Sequence, residues 1–441
     1  MCCIISFCGR IETLENESED KIYKYLDQNN YLYGKKKNQK GRNNQLKAAI
    51  IGASSESLHT IQKAKEYNLT VVALDGNDKA EGLTAADEAR VVNISKEKET
   101  IECIEKENID FVLTVPIGRY LTTIGAVNDE LHLPGIGRQQ AMYCTDKLLF
   151  HEKMTENDLR NCQCYEACSE MEQREELYQR IVNGELPLQF PSILKPRYGS
   201  GSRGIHFANN LVDLKEGLEK TCGESYVLEE CAAGEEYGLD GAVIDGKFYL
   251  VLLRYKENTP LPARQAVAYF SVMPEDVFYG QVKEFMEKTV KVLGLKECLL
   301  HADLIRTEKG PFMIEMSARP SGHNLHNLFT PLCTGVDVAE QYIRCRMGLD
   351  YSFVPGKTKS MMIHYFDLEG TVKEVPDKAK VEAQLGMPIV IWQCNIQEGE
   401  VLGRVSDGHS LMGRGYFVLE GESVEELKQK AEQVKMLFVF E

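Results

Sequence analysis

The chain has 441 residues, with 51 Lys and Arg against 67 Asp and Glu, a formal net charge of −16. That balance excludes the broad basic face a duplex nucleic-acid binder needs, and no apolar run nears the ~20 residues of a membrane span. The length suggests about three domains, and 43% hydrophobic with 27% charged residues is the composition of a soluble globular protein.

Residues 1–45 read as an N-terminal extension ending in the basic, polar linker YGKKKNQKGRNNQ. The opening MCCIISFCGR has an apolar patch but no basic region before it, so it is a poor signal peptide. Cys2 and Cys3 invite comparison with an N-terminal cysteine nucleophile, but about 45 residues are too few for that hydrolase fold. The 14 cysteines form no regular framework, which points to reduced thiols and a cytoplasmic protein. Cys162, Cys164 and Cys168 lack the paired C-x-x-C spacing of a structural metal site.

From residue 46 the texture alternates. KAAIIGASS is a buried strand and turn, SESLHTIQKAKEYN an amphipathic helix, and LTVVALDGN a second strand. VVNIS, the helical TIECIEKEN and the strand IDFVLTVPIG continue the pattern, so 46–140 is expected to be a Rossmann-like α/β domain with a parallel sheet. Asp75 ends the second strand where a ribose-binding acid would lie in a dinucleotide fold. The turn after the first strand lacks the second and third glycines of that fingerprint, so dinucleotide binding is not expected.

From about 141 the predicted elements are helices (TDKLLFHEKMTEND, EELYQRIVNG) and then an antiparallel β system: SILKPRYG, YVLEECAAG, EEYGLDGAVIDGKFYLVLLRY and QAVAYFSVMP. Turns are expected at AAG and DG. The first of these strands runs into Lys195-Pro196-Arg197-Tyr198-Gly199-Ser200-Gly201-Ser202-Arg203-Gly204. Glycines let backbone N–H groups approach a ligand as an anion-attracting concavity, and the arginines add fork-shaped positive charge. A plain Gly/Ser turn is the alternative reading. After the helix VFYGQVKEFMEKTVKVLG come the strands CLLHADLIRT and PFMIEMSA around an EKG turn. Residues 351–441 hold short strands (VIWQC, YFVLEG) and the helix SVEELKQKAEQVK, a small α+β unit.

The hairpin is the chemically loaded element. It sets Asp303 and Glu315 on neighbouring strands between apolar flanks, and two poorly hydrated carboxylates together ask for a cation. Hard oxygen donors beside phosphate point to Mg²⁺. Ser317 and Arg319 follow at two-residue steps, on the face of Glu315 if the strand continues.

Lys147 in TDKLLF, Lys195 in LKPRYGSGSRGI, LEECAAGEEY, the Asp303/Glu315 hairpin and EMSARPSG occur in the order seen in the ATP-grasp superfamily. The chain resembles its carboxylate–amine ligases, including L-amino-acid ligases and carnosine-synthase-like enzymes, over about residues 46–350. The resemblance implies a pre-ATP-grasp domain (46–140), two ATP-grasp subdomains (141–225 and 226–350, the latter with the metal site) and a C-terminal α+β domain (351–441). It implies ATP as substrate and Mg²⁺, which Mn²⁺ could replace.

By the same resemblance, Lys147 and Lys195 contact nucleotide phosphates, and the loop with Ser200, Gly201, Ser202 and Gly204 closes over them. Glu229, Glu230 and Ala232 are the hinge that reads adenine, Glu236 holds the ribose, and Asp303 and Glu315 hold Mg²⁺. Arg319 steadies the acyl-phosphate and the tetrahedral intermediate. The loop arginines would serve closure and phosphate contact. Ser317 stands where the family usually has Asn and could still ligate the metal. Either Arg254 or Lys256 is the further phosphate-contacting cation. His323, Asn324 and His326 are placed near the acceptor pocket, with a structural role as the alternative for either histidine.

The expected activity is ATP-dependent joining of a small-molecule carboxylate to an amine, with amino acids as the expected substrates and without nucleic-acid or membrane partners; two copies could form a homodimer. The alternatives are a bicarbonate- and ATP-dependent carboxylase of biotin-carboxylase type and a non-catalytic ATP-binding protein.

Overall fold

The computed structural model describes residues 45–441 except 200–202, 261–263, 406–407 and the side chain of residue 409, so the expectations for Ser200, Gly201 and Ser202 lie outside the described residues. The alternating N-terminal segment forms a parallel sheet of β1 (Lys47–Ile51), β2 (Thr70–Asp75), β3 (Glu88–Val91) and β4 (Phe111–Val112), in the spatial order β3–β2–β1–β4. The third strand lies upstream of VVNIS, sharing only Val91 with it. Asp75 is not presented to a ligand. Its carboxylate accepts the Ala53 N–H at 2.7 Å and the Asn77 N–H at 2.8 Å, closing the turn after β1.

A second, antiparallel sheet is built from β5 (Cys164–Ala167), β6 (Ser192–Pro196), β7 (His206–Ala208) and β8 (Tyr226–Glu230), ordered β5–β8–β6–β7. The third is the spine of the molecule. β9 (Glu235–Ile244), β10 (Lys247–Asn258), β11 (Ala266–Val272), β12 (Cys298–Thr307) and β13 (Gly310–Ser317) assemble as β13–β12–β9–β10–β11. Asp245 and Gly246 both take positive φ (52° and 75°), as a two-residue hairpin between β9 and β10 requires.

The helix Val277–Leu293 covers this sheet. Asp276 caps it by accepting the Phe278 N–H at 2.7 Å, and Gly294 ends it in the left-handed region. Its buried stripe of Phe278, Val282, Met286, Val290 and Leu293 follows the helical period and packs on Leu239, Val243, Leu300 and Leu304. Each such burial contributes roughly 2 kcal/mol.

The C-terminal residues supply β14 (Met361–Tyr365), β15 (Gly370–Glu374), β16 (Ile391–Cys394), β17 (Val401–Leu402), β18 (Gly415–Glu420) and β19 (Val439–Phe440). β14, β18 and β16 pair onward from β11, making the spine eight-stranded, while β17–β15–β19 form a small separate sheet. Among the described residues, no helix is long and apolar enough to cross a membrane.

Candidate active site

The second sheet and the spine face one another across a cleft of about 520 Å³. The hairpin β12–β13 forms its floor, with Asp303 directly opposite Glu315 in the ladder. One residue earlier the register breaks: Leu304 pairs with Met313, which leaves Ile314 as a β-bulge. The bulge decides which way the acid points. Met313 and Met316, three apart, both enter the core, so Ile314 and Glu315 both face the cleft. Ser317 and Arg319 line a smaller cavity that also contains Glu315 and Lys147.

Lys256 on β10 reaches Asp303 across β9, with Nζ 3.1 Å from Oδ1. The strand residue between them is Gly238, where a Cβ would lie 3.1 Å from that carboxylate oxygen and 3.7 Å from Lys256 Cδ. Burial pushes the Asp303 pKa up, but Lys256 and then His301 outweigh it and hold the carboxyl below its ordinary value. Arg254, the other candidate, does not line the cleft. It is fully buried, ion-paired to Asp240 and 3.1 Å from Thr330 Oγ1.

Arg319 donates to its neighbour's carbonyl, Pro320 O, at 2.7 Å. Burial lowers its pKa against the opposing pull of Glu315, Asp303 and Glu56. His301, two residues before Asp303, lines both cavities and was not singled out from sequence. Its Nδ1 faces Leu239 O at 3.1 Å, so that nitrogen carries the proton, and Nε2 lies 3.8 Å from Asp303 Oδ1. Its only signal is the two-residue spacing that puts it on the same strand face as Asp303.

Above the floor, the slot between the sheets is apolar: Ile193 and Phe207 on one side, Ile305, Phe312 and Ile314 on the other. Glu229, Glu230, Cys231, Ala232 and Glu236 edge this slot. The Glu229 side chain is nevertheless committed to the protein. Lys195, His151 and Arg160 all converge on it, Arg160 Nη2 at 2.9 Å. Burial alone would raise its pKa; the charges of Lys195, His151 and Arg160 hold it well below the ordinary value. Cys164 also lies within 4.8 Å in ligand-atom distance of His151 and Glu229, but the two cations already neutralise the carboxylate, and the cluster is an ion-pair node with no deficit for a metal to fill.

Glu230 accepts the Gln163 and Gln189 N–H groups at 3.1 and 2.9 Å, so its carboxylate, like that of Glu229, is committed to the protein. Glu236 accepts from Asn258 Nδ2 at 2.9 Å and from Arg264 Nε at 2.6 Å.

Asp146 is the anchor the sequence did not reveal. It caps the helix Lys147–Thr155 by accepting the Leu148 N–H at 3.0 Å, and it takes a two-pronged ion pair from Arg197 at 2.8 and 2.7 Å and the Tyr198 hydroxyl at 2.9 Å. Arg197 is also bound to Glu166 at 2.7 Å, so its guanidinium is occupied, and Arg203 is the loop arginine that faces the cleft. Lys147 Nζ donates to Gly199 O at 2.8 Å, and Gly204 holds a positive φ of 69° where a Cβ would lie 2.8 Å from the Tyr226 hydroxyl.

The node at Glu229 has a pH consequence. Burial chiefly depresses the His151 pKa from 6.5 to about 4, although Glu229 pulls the other way. Between those values the unfolded chain binds a proton that the folded chain does not, so stability is expected to fall as pH drops from 6.5 toward 4, by at most about 1.4 kcal/mol per pH unit. Urea midpoints at pH 5 and 7 should differ less in His151→Phe than in the parent chain.

Comparison with known proteins now bears on this arrangement. The family model for the ATP-grasp domain matches residues 188–326, which carry Lys195, the Glu229 strand, Lys256, the acidic hairpin and Arg319. Residues 188–326 are an ATP-grasp domain. The chain is 28% identical over 145 residues to a D-alanine–D-alanine ligase of Lacticaseibacillus casei, covering 31% of this chain and 40% of the relative. It is 22% identical over 147 residues to dapdiamide A synthase of Enterobacter agglomerans, covering 30% and 34%. The alignments thus span well under half the length of these relatives. The L-amino acid ligase from Bacillus licheniformis superposes with a TM-score of 0.71 at 17% identity, over 91% of this chain and 100% of that one, so the ATP-grasp fold extends over nearly all the described residues.

Proposed function

We propose that this protein is an ATP-dependent carboxylate–amine ligase that forms an amide or peptide bond through an acyl-phosphate. The observation that carries the reading is the convergence of Asp303, Glu315, Lys256 and Arg319 at one end of an apolar slot edged by Glu229, Ala232 and Glu236. The slot suits a purine and its charged end suits a triphosphate.

Asp303 and Glu315 are hard oxygen donors facing one another across a ladder, a set that fits Mg²⁺ when phosphate oxygens complete the shell. When bound, the ion neutralises phosphate charge; Ser317 is near enough in the fold to add an oxygen. Lys147 and Lys195 contact the phosphates, Lys256 holds the Asp303 charge in balance, and Glu236 releases Arg264 to take the ribose hydroxyls.

Arg319 serves the chemistry. The attacking group is itself an anion, so a buried guanidinium beside the acids offsets repulsion as the substrate carboxylate oxygen takes the γ-phosphoryl group and ADP departs. The amine then attacks the acyl carbon, loses a proton, and expels inorganic phosphate. Exclusion of water keeps the acyl-phosphate from hydrolysis, which is the task assigned to the loop 198–204.

The experiment is a phosphate-release assay with ATP, Mg²⁺ and paired amino acids. Release is expected only when acid and amine are both present, with the joined product seen by mass spectrometry. Release that depends on bicarbonate and biotin would assign the carboxylase reading in its place, and ATP binding with no release across a broad panel would assign the non-catalytic one.

A further inference from the structure

The clamp on Glu229 reaches beyond that carboxylate. Arg160 lies in the connection between the helix Lys147–Thr155 and β5, and it is only 2% exposed. A guanidinium at that depth must spend its N–H groups on protein acceptors. It does so in three places. Nη2 donates to Glu229 on β8 at 2.9 Å, Nε to Cys162 Sγ at 3.2 Å, and Nη1 to the carbonyl oxygen of Met313 on β13. Its central carbon also stands 4.4 Å from the centre of the Phe312 ring, so the group covers one β13 residue while bonding the next.

The contact falls where β13 has a choice of pairing. β13 is the outermost strand of the spine; β12 pairs with one side of it, and among the described residues no strand pairs with the other. Around the bulge, Leu304 pairs with Met313 and Ala302 with Met316, so Ile314 and Glu315 compete for the single position opposite Asp303. Glu315 holds it. The alternative sets Ile314 opposite Asp303 and takes the carboxylate away, since a shift of one residue reverses the face a side chain takes. A buried bond to Met313 O pins the residue at which that choice is made. The residues flanking Met313, Phe312 and Ile314, line the nucleotide slot, so the pinned stretch belongs to the slot and to the metal acid alike.

We infer that Arg160 is a positioning residue for the metal site. It carries the placement of Glu229, which also holds Lys195, across to the bulge that sets Glu315 opposite Asp303. The inference rests on the proposed reading of Asp303 and Glu315 as the Mg²⁺ acids. Arg160 lines neither cavity, so its action on nucleotide and metal passes through Glu229, Phe312 and Met313. Lysine at this position keeps a charge for Glu229 but has no planar fork with which to hold Met313 O as well. Glutamine keeps a donor and gives up the charge, leaving Lys195 to balance Glu229.

The test titrates Mn²⁺ into the full chain at saturating ADP and reads the free ion by electron paramagnetic resonance. The parent chain with ADP is expected to hold Mn²⁺ more tightly than ADP alone does. Arg160→Lys and Arg160→Gln should weaken that binding about tenfold, the loss expected when a group that orients a metal ligand is removed, while ADP affinity without metal changes less than about threefold. In phosphate release, raising Mg²⁺ should return most of kcat to Arg160→Lys with KM for ATP little changed. A plain loss of packing gives no such recovery.

Variants that hold Mn²⁺ as the parent does overturn the inference and leave the metal assignment standing. Variants that lose ADP and Mn²⁺ in equal proportion overturn it too, as does failure of both to fold, because Arg160 then supports the nucleotide slot or the fold alone. A parent chain that adds nothing to the Mn²⁺ affinity of ADP overturns the metal assignment, and this inference falls with it.

Discussion

Arg319→Ala is expected to lower kcat by about 10²- to 10³-fold while changing the affinity for ADP little, a loss of the size seen when one preorganised donor is taken from a developing anion. The reasoning is electrostatic. Arg319 sits in the cleft beside Glu315 and donates to Pro320 O at 2.7 Å, while its buried Nε has no partner among the described residues, so that N–H is held ready for an anion at no cost of reorganisation at the moment of reaction. Arg319→Lys should recover only part of the rate, because an ammonium is a point charge and cannot replace the planar fork. Single-turnover kinetics with saturating ATP, paired with an ADP titration, check this; equal losses in kcat and ADP binding would move Arg319 from the chemistry to nucleotide binding.

The largest effect on stability is expected at Glu229. Glu229→Leu should cost about 3–5 kcal/mol, since it leaves Lys195 and Arg160 as buried cations without their shared carboxylate. Lys195→Met in the same chain should restore part of that loss, because it removes one of the stranded charges; a double-mutant cycle in urea measures the coupling. Additive losses would show that the two side chains do not depend on one another. The pair also bears on activity: Lys195 is both a proposed phosphate contact and a partner of Glu229, so the carboxylate fixes the position from which the ammonium reaches ATP.

Much of this was legible before any coordinates. The alternation of β2-type strands and amphipathic helices announced the parallel sheet, and the ATP-grasp fold followed from motifs spread between Lys147 and Arg319. The Asp303/Glu315 pairing was legible because both acids stand near the ends of apolar runs around a tight turn. What stayed hidden involves partners far apart in sequence. Asp146 reads as an ordinary helix cap, and nothing local shows that Arg197, 51 residues on, will clamp it. Glu229 reads as a ligand-facing acid because its partners lie far off in sequence: His151 within the helix Lys147–Thr155, Arg160 beyond that helix, and Lys195 on β6.

Arg254 and Lys256 share a strand face, so periodicity could not separate them; only the depth at which Asp240 and Thr330 hold Arg254 does. The bulge at Ile314 also escaped, since alternation in β13 looks unbroken until the Leu304–Met313 register is known.

The continuity of the eight-stranded spine has a practical meaning for how this chain can be cut. β14 is hydrogen-bonded to β11, and β18 and β16 extend from it, so the last ninety or so residues are not an appendage on a finished catalytic half. A polypeptide ended near residue 350 would bare the N–H and C=O row of β11 along with Phe270 and Ala268, which the C-terminal helices and strands otherwise cover. Such an edge is a template for pairing with other chains, and truncates of this kind should collect in the insoluble fraction. Heterologous expression and domain-exchange work are therefore better planned around whole-spine units than around the limits of the family match.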